Sequence, residues 1–118
     1  MTALNVKRGE IYYAALDPVM GNETGKTRPV LIIQNNIGNL YSPTTIVAVI
    51  TEYSEKKATY PICVAVVGDA GLKKPSIVNL SQIRTIDNRR FKGPKITSLA
   101  DDIMEKVDIA LRNSLALT

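Results

Sequence analysis

Short apolar runs rich in β-branched residues, separated by short polar segments, are the feature that most limits what this chain can fold into. The runs have the length of strands, and their valines, isoleucines and threonines suit a pleated surface. The segments between them are too short for crossover helices, which favours a small antiparallel barrel or a strongly curled sheet. The predicted strands are residues 9–16, 29–33, 45–50, 62–67, 76–80 and, as a short sixth, 83–86.

The last part of the chain changes its period. Apolar residues recur there at steps of three and four with acidic residues between them, which predicts an amphipathic helix packed on the sheet. Ser98 is the expected N-cap, with Asp101 three residues further on. A chain of 118 residues encloses one core, so we expect a single domain over residues 1–118, mostly β with a C-terminal helix. The apolar helix positions are Leu99, Ile103, Val107, Ala110, Leu111 and Leu115.

Residues 17–27 form a candidate loop between the first two strands. They include Pro18, Gly21, Asn22 and Gly25, residues that bend easily and pack poorly. We expect an exposed, mobile segment that can act as a lid.

The charges are unevenly distributed. Lys and Arg total 15 against 11 Asp and Glu, and the net charge of +4 suits an anionic partner. One short segment is basic and the next is acidic, which predicts a basic side and an acidic side; the alternative is that these are solvated charges on a loop and a helix. The residues are Arg89, Arg90, Lys92 and Lys95, followed by Asp101, Asp102, Glu105 and Asp108.

The residue inventory excludes several kinds of chemistry. There is no histidine, so Ser-His and Cys-His mechanisms are ruled out. Cys63 is the single cysteine, which excludes an internal disulfide and a zinc site and suits a small buried hydrophobe. No phosphate-binding glycine loop is present, and we expect neither a cofactor nor a metal. No apolar run has the length of a membrane span, so a cytoplasmic location is expected.

The remaining chemistry is that of arginine and hydroxyl groups. RNA is a substrate that such groups can handle, because its own 2′-hydroxyl attacks the adjacent phosphorus and the protein need only orient it and stabilise charge. Arg28 lies at the entry of the second predicted strand, and Thr51 lies at the exit of the third. The alternatives are a surface salt-bridge arginine and an ordinary strand-end hydroxyl.

Four segments resemble one known family. The stretches RGEIYYAAL, GKTRPVLIIQNNIGN, SPTTIVAVIT and LSQIRTID, in this order, resemble the MazF/PemK toxins of type II toxin-antitoxin systems. The resemblance extends from Val6 through the final helix. It implies a barrel like that of SH3 and CcdB proteins, a homodimer, and metal-independent cleavage of single-stranded RNA to 2′,3′-cyclic phosphate and 5′-hydroxyl ends. It also implies a MazE-like antitoxin with an acidic tail as partner.

The resemblance also assigns roles to residues. It implies that Arg28 is the main catalytic group, that Thr51 assists it, and that residues 18–26 close over substrate. Ser81 stands where close relatives often carry glutamate, so the base preference is open. The detailed contacts of residues 53–60 do not follow from the resemblance: Tyr53 is a candidate to stack on an unpaired base, with packing or loop anchoring as the alternative. Lys56 and Lys57 are candidates to meet phosphates, with solvated surface lysines as the alternative. The expected RNA-binding residues are Gln82, Ser81, Lys26, Thr27, Tyr53 and Lys56.

Two other functions remain open at this point. One is a CcdB-like toxin that binds DNA gyrase without catalysis, and the other is a plain RNA-binding module. The joint presence of Arg28 and Thr51 favours the ribonuclease, because a gyrase binder does not need that pair.

Overall fold

The computed structural model describes residues 5–67 and 71–117. The strands are β1 (Glu10–Ala15), β2 (Thr27–Ile32), β3 (Thr44–Glu52), β4 (Cys63–Val66), β5 (Ser76–Asp87) and β6 (Phe91–Ser98). The α-helices are α1 (Asn36–Tyr41) and α2 (Asp101–Leu115), and two short 3₁₀ helices span Lys57–Thr59 and Asn88–Arg90.

All six strands belong to one antiparallel sheet in the order β4-β5-β3-β2-β1-β6. The predicted fold class, mostly β with a C-terminal helix, is confirmed. The predicted closure into a barrel is wrong, because no pairing joins the two edge strands, β4 and β6, within the described residues. The sheet ends still approach each other, since Gly71, shortly before β5, lies against Thr97 of β6.

The predicted strands at residues 76–80 and 83–86 are one strand, β5. Their separation in the sequence pattern comes from a bulge: Asn79 pairs with Val49 and Ile83 pairs with Ala48, so residues 80–82 have no partners in β3. A bulge interrupts the alternation that marks a strand and re-aims the side chains within it.

One strand and one α-helix were not predicted, and neither were the two 3₁₀ helices. Strand β6 contains Lys92, Gly93, Pro94 and Lys95, and such residues are tolerated because β6 is an edge strand that pairs only with β1. Helix α1 is a short element whose Asn35 side chain accepts a 2.8 Å hydrogen bond from the Gly38 N–H.

The core is divided between the two faces of the sheet. Along β1, Ile11 belongs to one cluster and Tyr12 to the other, as the alternation of a strand requires. The first cluster is covered by α2, whose Val107 and Ala110 are buried, so the predicted apolar face of the helix is confirmed except at Leu115, which is 50% exposed.

The helix begins later than predicted. Ser98 is the last residue of β6, opposite Glu10 of β1, and the N-cap is Ala100, which makes no side-chain capping bond. The prediction of Ser98 as N-cap is therefore wrong, because pairing in the sheet occupies that residue.

Cys63 is a buried free thiol in β4, as expected, and burial raises its pKa above the usual range for cysteine. Within residues 5–67 and 71–117, no helix is long and apolar enough to cross a membrane. The composition of residues 68–71, Gly-Asp-Ala-Gly, predicts a turn between the strands at 62–67 and 76–80, but residues 68–70 lie outside the described residues.

Candidate active site

Arg28 and Thr51 line the same surface cavity, which has a volume of about 250 Å³. Strands β2 and β3 are antiparallel, with Val30 opposite Val49. Continuing that register by two residues leads to Arg28 and Thr51. The two side chains that were selected at separate strand ends are thus neighbours.

The Thr51 hydroxyl is the most unusual polar group at this cavity. Its Oγ1 is buried and has no hydrogen-bond partner among the described residues. Leaving a buried hydroxyl unpaired costs about 1–3 kcal/mol, so such groups are rare unless a ligand completes them. The Thr51 hydroxyl therefore keeps an unused hydrogen-bonding capacity in a residue of the cavity wall.

The Arg28 side chain is held at one end. Its Nε donates a 3.1 Å hydrogen bond to the Gly25 carbonyl, and it makes no salt bridge to any carboxylate of the described residues. The adjacent turn is fixed by Lys26, which has a positive φ of 65° and whose N–H donates to Asp17 Oδ1 at 3.0 Å. The geometry does not support the alternative of a surface salt-bridge arginine.

The other cavity residues were not selected from the sequence. Lys73, Lys74 and Glu52 bring charge to the cavity, and the remaining wall is largely apolar. Only tertiary structure brings segment 71–75 to this place, so no local pattern indicates it. The further lining residues are Tyr13, Pro29, Ile50, Leu72, Pro75 and Ser76.

Gln82 and Ser81 lie outside this cavity. Gln82 lines a second one, of about 170 Å³, together with Glu23, Thr24 and Arg84. Its Oε1 accepts a long 3.4 Å hydrogen bond from the Thr24 N–H. Ser81 is exposed, and its hydroxyl and Asn79 Oδ1 are 2.6 Å apart in a hydrogen bond.

The other expected RNA-binding residues do not line the first cavity. Lys26 and Thr27 are exposed immediately before Arg28. Tyr53 is 41% exposed, and its N–H donates to the Pro75 carbonyl, which ties it to the cavity wall. Lys56 is exposed at the start of the 3₁₀ helix.

Three of the four cations in the segment expected to be basic have partners within the protein. Arg90 donates to the carbonyls of Ala15 and Asp17, at 3.0 and 2.7 Å, and so anchors the start of loop 17–26. Arg89 pairs with Asp87, and Lys95 lies 3.6 Å from Glu10. These cations have structural partners, and the mobility of the loop remains a prediction.

No set of metal ligands is present in the part of the chain that the structure describes. No group of three or more His, Cys, Asp or Glu residues there is arranged to hold an ion.

The sequence matches one class of protein. The family model described as "PemK-like, MazF-like toxin of type II toxin-antitoxin system" matches residues 7–115, and the chain therefore belongs to this family. The chain is also 53% identical over 115 residues to Endoribonuclease EndoA of Bacillus subtilis (strain 168), covering 95% of this chain and 96% of that protein.

Solved structures show the same fold. The Mycobacterium tuberculosis toxin MazF-mt6 aligns with a TM-score of 0.76 and 27% identity, covering 92% of this chain and 98% of that one. An endoribonuclease in complex with its cognate antitoxin, from a mycobacterial species, aligns with a TM-score of 0.79 and 24% identity, covering 96% and 97%.

Proposed function

We propose that this toxin is an endoribonuclease that cleaves single-stranded messenger RNA without a metal and thereby stops translation. The observation that carries the proposal is that Arg28 and Thr51 line the same cavity, while the Thr51 hydroxyl has no hydrogen-bond partner among the described residues. The name of the Bacillus subtilis relative supports it.

The proposed reaction uses the nucleophile of the substrate. The 2′-oxygen forms a bond to phosphorus while the bond from phosphorus to the 5′-oxygen breaks, which leaves a 2′,3′-cyclic phosphate and a 5′-hydroxyl. Arg28 neutralises the charge that develops on the phosphoryl oxygens, a task that suits a planar guanidinium. The Thr51 hydroxyl pairs with the 2′-hydroxyl or a phosphoryl oxygen and thereby gains its missing partner.

The reaction also needs an acceptor for the 2′-hydroxyl proton. A guanidinium stays protonated in proteins, so Arg28 is unsuited to that step. Glu52 follows Thr51 in the chain and lines the same cavity, and we assign the proton to its carboxylate. The 5′-oxygen takes a proton from solvent.

RNA recognition is proposed for the residues around the two cavities. Gln82 offers an amide that can both donate to and accept from a base edge. Tyr53 offers an exposed ring for stacking. The remaining proposed contacts are Ser81, Lys26, Thr27 and Lys56.

The partners are proposed from the relatives. One aligned endoribonuclease is described in complex with its cognate antitoxin. We infer a MazE-like antitoxin whose acidic tail competes with RNA for the positive residues around the cavity, and a homodimer of single-domain chains acting in the cytoplasm.

Mapping of cleavage sites tests the proposal. A long RNA is incubated with the protein, with and without a chelator, and the cut ends are mapped by primer extension. Arg28→Ala should lower the rate by at least about 100-fold, because it removes the main charge-stabilising group. Arg112→Ala, which changes an exposed arginine outside the cavity, is the matched control.

Two results would contradict this function. Equal cleavage by the folded Arg28→Ala variant would remove the mechanism. RNA left intact while growth still stops would favour the gyrase-binding alternative.

A further inference from the structure

Segment 71–75 forms one flank of the active-site cavity. Leu72 and Pro75 supply apolar wall, and Lys73 and Lys74 lie between them. Both lysines are exposed, and neither forms a salt bridge with a carboxylate of residues 5–67 or 71–117. Within those residues, no carboxylate neutralises their charges.

The backbone of this segment is held in place. The Pro75 carbonyl accepts a 3.2 Å hydrogen bond from the Tyr53 N–H, and the Lys74 carbonyl accepts one of 2.9 Å from Ser76 Oγ. At the other end, Gly71 packs so closely on Thr97 that an added Cβ would lie 2.3 Å from its Oγ1. Because the backbone that carries Lys73 and Lys74 is already fixed, less conformational entropy is lost when the two lysines bind an anion.

The cavity carries more positive charge than one phosphate requires. Among the described lining residues, Arg28, Lys73 and Lys74 are cationic, and Glu52 is the one carboxylate. Arg28 and Thr51 already account for the reacting phosphate. The two lysines are left for a second anion, and in a nucleic-acid strand the nearest second anion is the neighbouring phosphate.

We propose that Lys73 and Lys74 form a second phosphate-binding site, which holds the phosphate next to the scissile one. This inference rests on the proposed ribonuclease function. It predicts that efficient substrates carry a charged phosphate at that one position.

The first experiment compares two variants with the same change in net charge. Lys73→Gln/Lys74→Gln removes the proposed site, and Lys7→Gln/Lys106→Gln changes two exposed lysines that do not line the cavity. The site variant should raise KM about tenfold and keep kcat within about twofold, because it removes ground-state binding. The salt dependence of log kcat/KM should become shallower by about 0.7. Equal effects of the two variants would overturn the proposal.

The second experiment locates the phosphate. Each phosphate of a short RNA is replaced in turn by an uncharged methylphosphonate. At the position that the lysines contact, the replacement should abolish the difference between the wild type and the site variant. A difference that persists at every position would overturn the proposal.

A binding measurement separates this inference from the proposed function. An all-deoxy strand of the same sequence lacks the nucleophile, and its binding is followed by fluorescence anisotropy. Weaker binding by the site variant than by the control variant supports the second site even if no RNA is cut. Cleavage with equal binding by both variants leaves the ribonuclease function in place and rejects the second site.

Discussion

Thr51 is the residue whose hydroxyl is expected to lower the stability of the free protein while it serves the proposed function. Two buried side-chain oxygen atoms lack hydrogen-bond partners among the described residues, Thr51 Oγ1 and Asn88 Oδ1, and of these only Thr51 lies at the cavity with Arg28. An unpaired buried hydroxyl destabilises the free protein and gains a partner when a ligand binds. A group that lowers the stability of the free protein in this way is typical of functional sites.

Replacement of Thr51 should therefore affect stability and activity in opposite directions. Thr51→Val keeps the shape and removes the unpaired hydroxyl, so the free energy of unfolding should stay equal or rise by about 1 kcal/mol. The rate of RNA cleavage should fall roughly 10- to 100-fold. Urea unfolding and single-turnover cleavage measure the two effects.

Thr51→Ser is the control, because it retains the hydroxyl and should retain most of the activity. A Thr51→Val protein that is clearly less stable and cleaves at the wild-type rate would show that the hydroxyl is structural.

At the scale of elements, irregular features position the site more than regular ones do. The bulge at residues 80–82 of β5 interrupts the alternation of side chains between the two faces of the sheet, and Gln82 lies within it. The turn before β2 orients Arg28 through Gly25. Gly71 makes a close approach to β6, and the residues after it line the cavity.

The close approach at Gly71 predicts a specific difference between two glycines. Gly71 and Gly21 both have positive φ, 89° and 55°, but an added Cβ meets Thr97 at Gly71 and nothing within 4 Å at Gly21. Gly21→Ala should cost about 1 kcal/mol from backbone strain alone. Gly71→Ala should cost at least about 1–3 kcal/mol more, because it also overpacks the contact. Urea unfolding of both variants tests this, and equal losses would mean that the contact with β6 is soft.

At the scale of the whole molecule, two hydrophobic clusters on opposite faces of the sheet stabilise the fold. Helix α2 covers the first cluster. The second contains Tyr12, whose ring packs on Phe91 with centroids 5.1 Å apart and whose hydroxyl donates to Glu10 Oε1 at 3.1 Å. Burial, followed by the charge of Glu10 and this hydrogen bond, raises the pKa of Tyr12 from 10.0 to about 12.

The raised pKa predicts how the stability of the molecule depends on pH. Below pH 10, Tyr12 is neutral in both the folded and unfolded states; between pH 10 and about 12 it ionises only in the unfolded chain. The unfolded state then binds fewer protons, so stability falls as pH rises. From pH 9 to 11 the loss due to Tyr12 should be about 1 kcal/mol.

Tyr12→Phe provides the comparison. Urea unfolding of both proteins at the two pH values isolates the Tyr12 contribution from that of the lysines. An identical pH dependence in the variant would show that Tyr12 ionises alike in both states.

Prediction from the sequence succeeded where the relevant interactions are local. The strands around Ile11, Leu31 and Val47 and the helix around Val107 follow from the periodicity of buried residues. It failed at β6, which has a polar, edge-strand composition, and at the N-cap, where sheet pairing occupies Ser98.

The sequence by itself determined the fold class, the excluded chemistries, and the selection of Arg28 and Thr51, because periodicity, residue inventory and family motifs are all properties of the linear chain. Tertiary structure alone decided that the sheet stays open, that the Thr51 hydroxyl is buried without a partner, and that Lys73 and Lys74 join Arg28 at one cavity. The physical reason is that strand register and sheet curvature bring together residues that are far apart in the chain. No pattern within one short segment specifies which distant residues will meet.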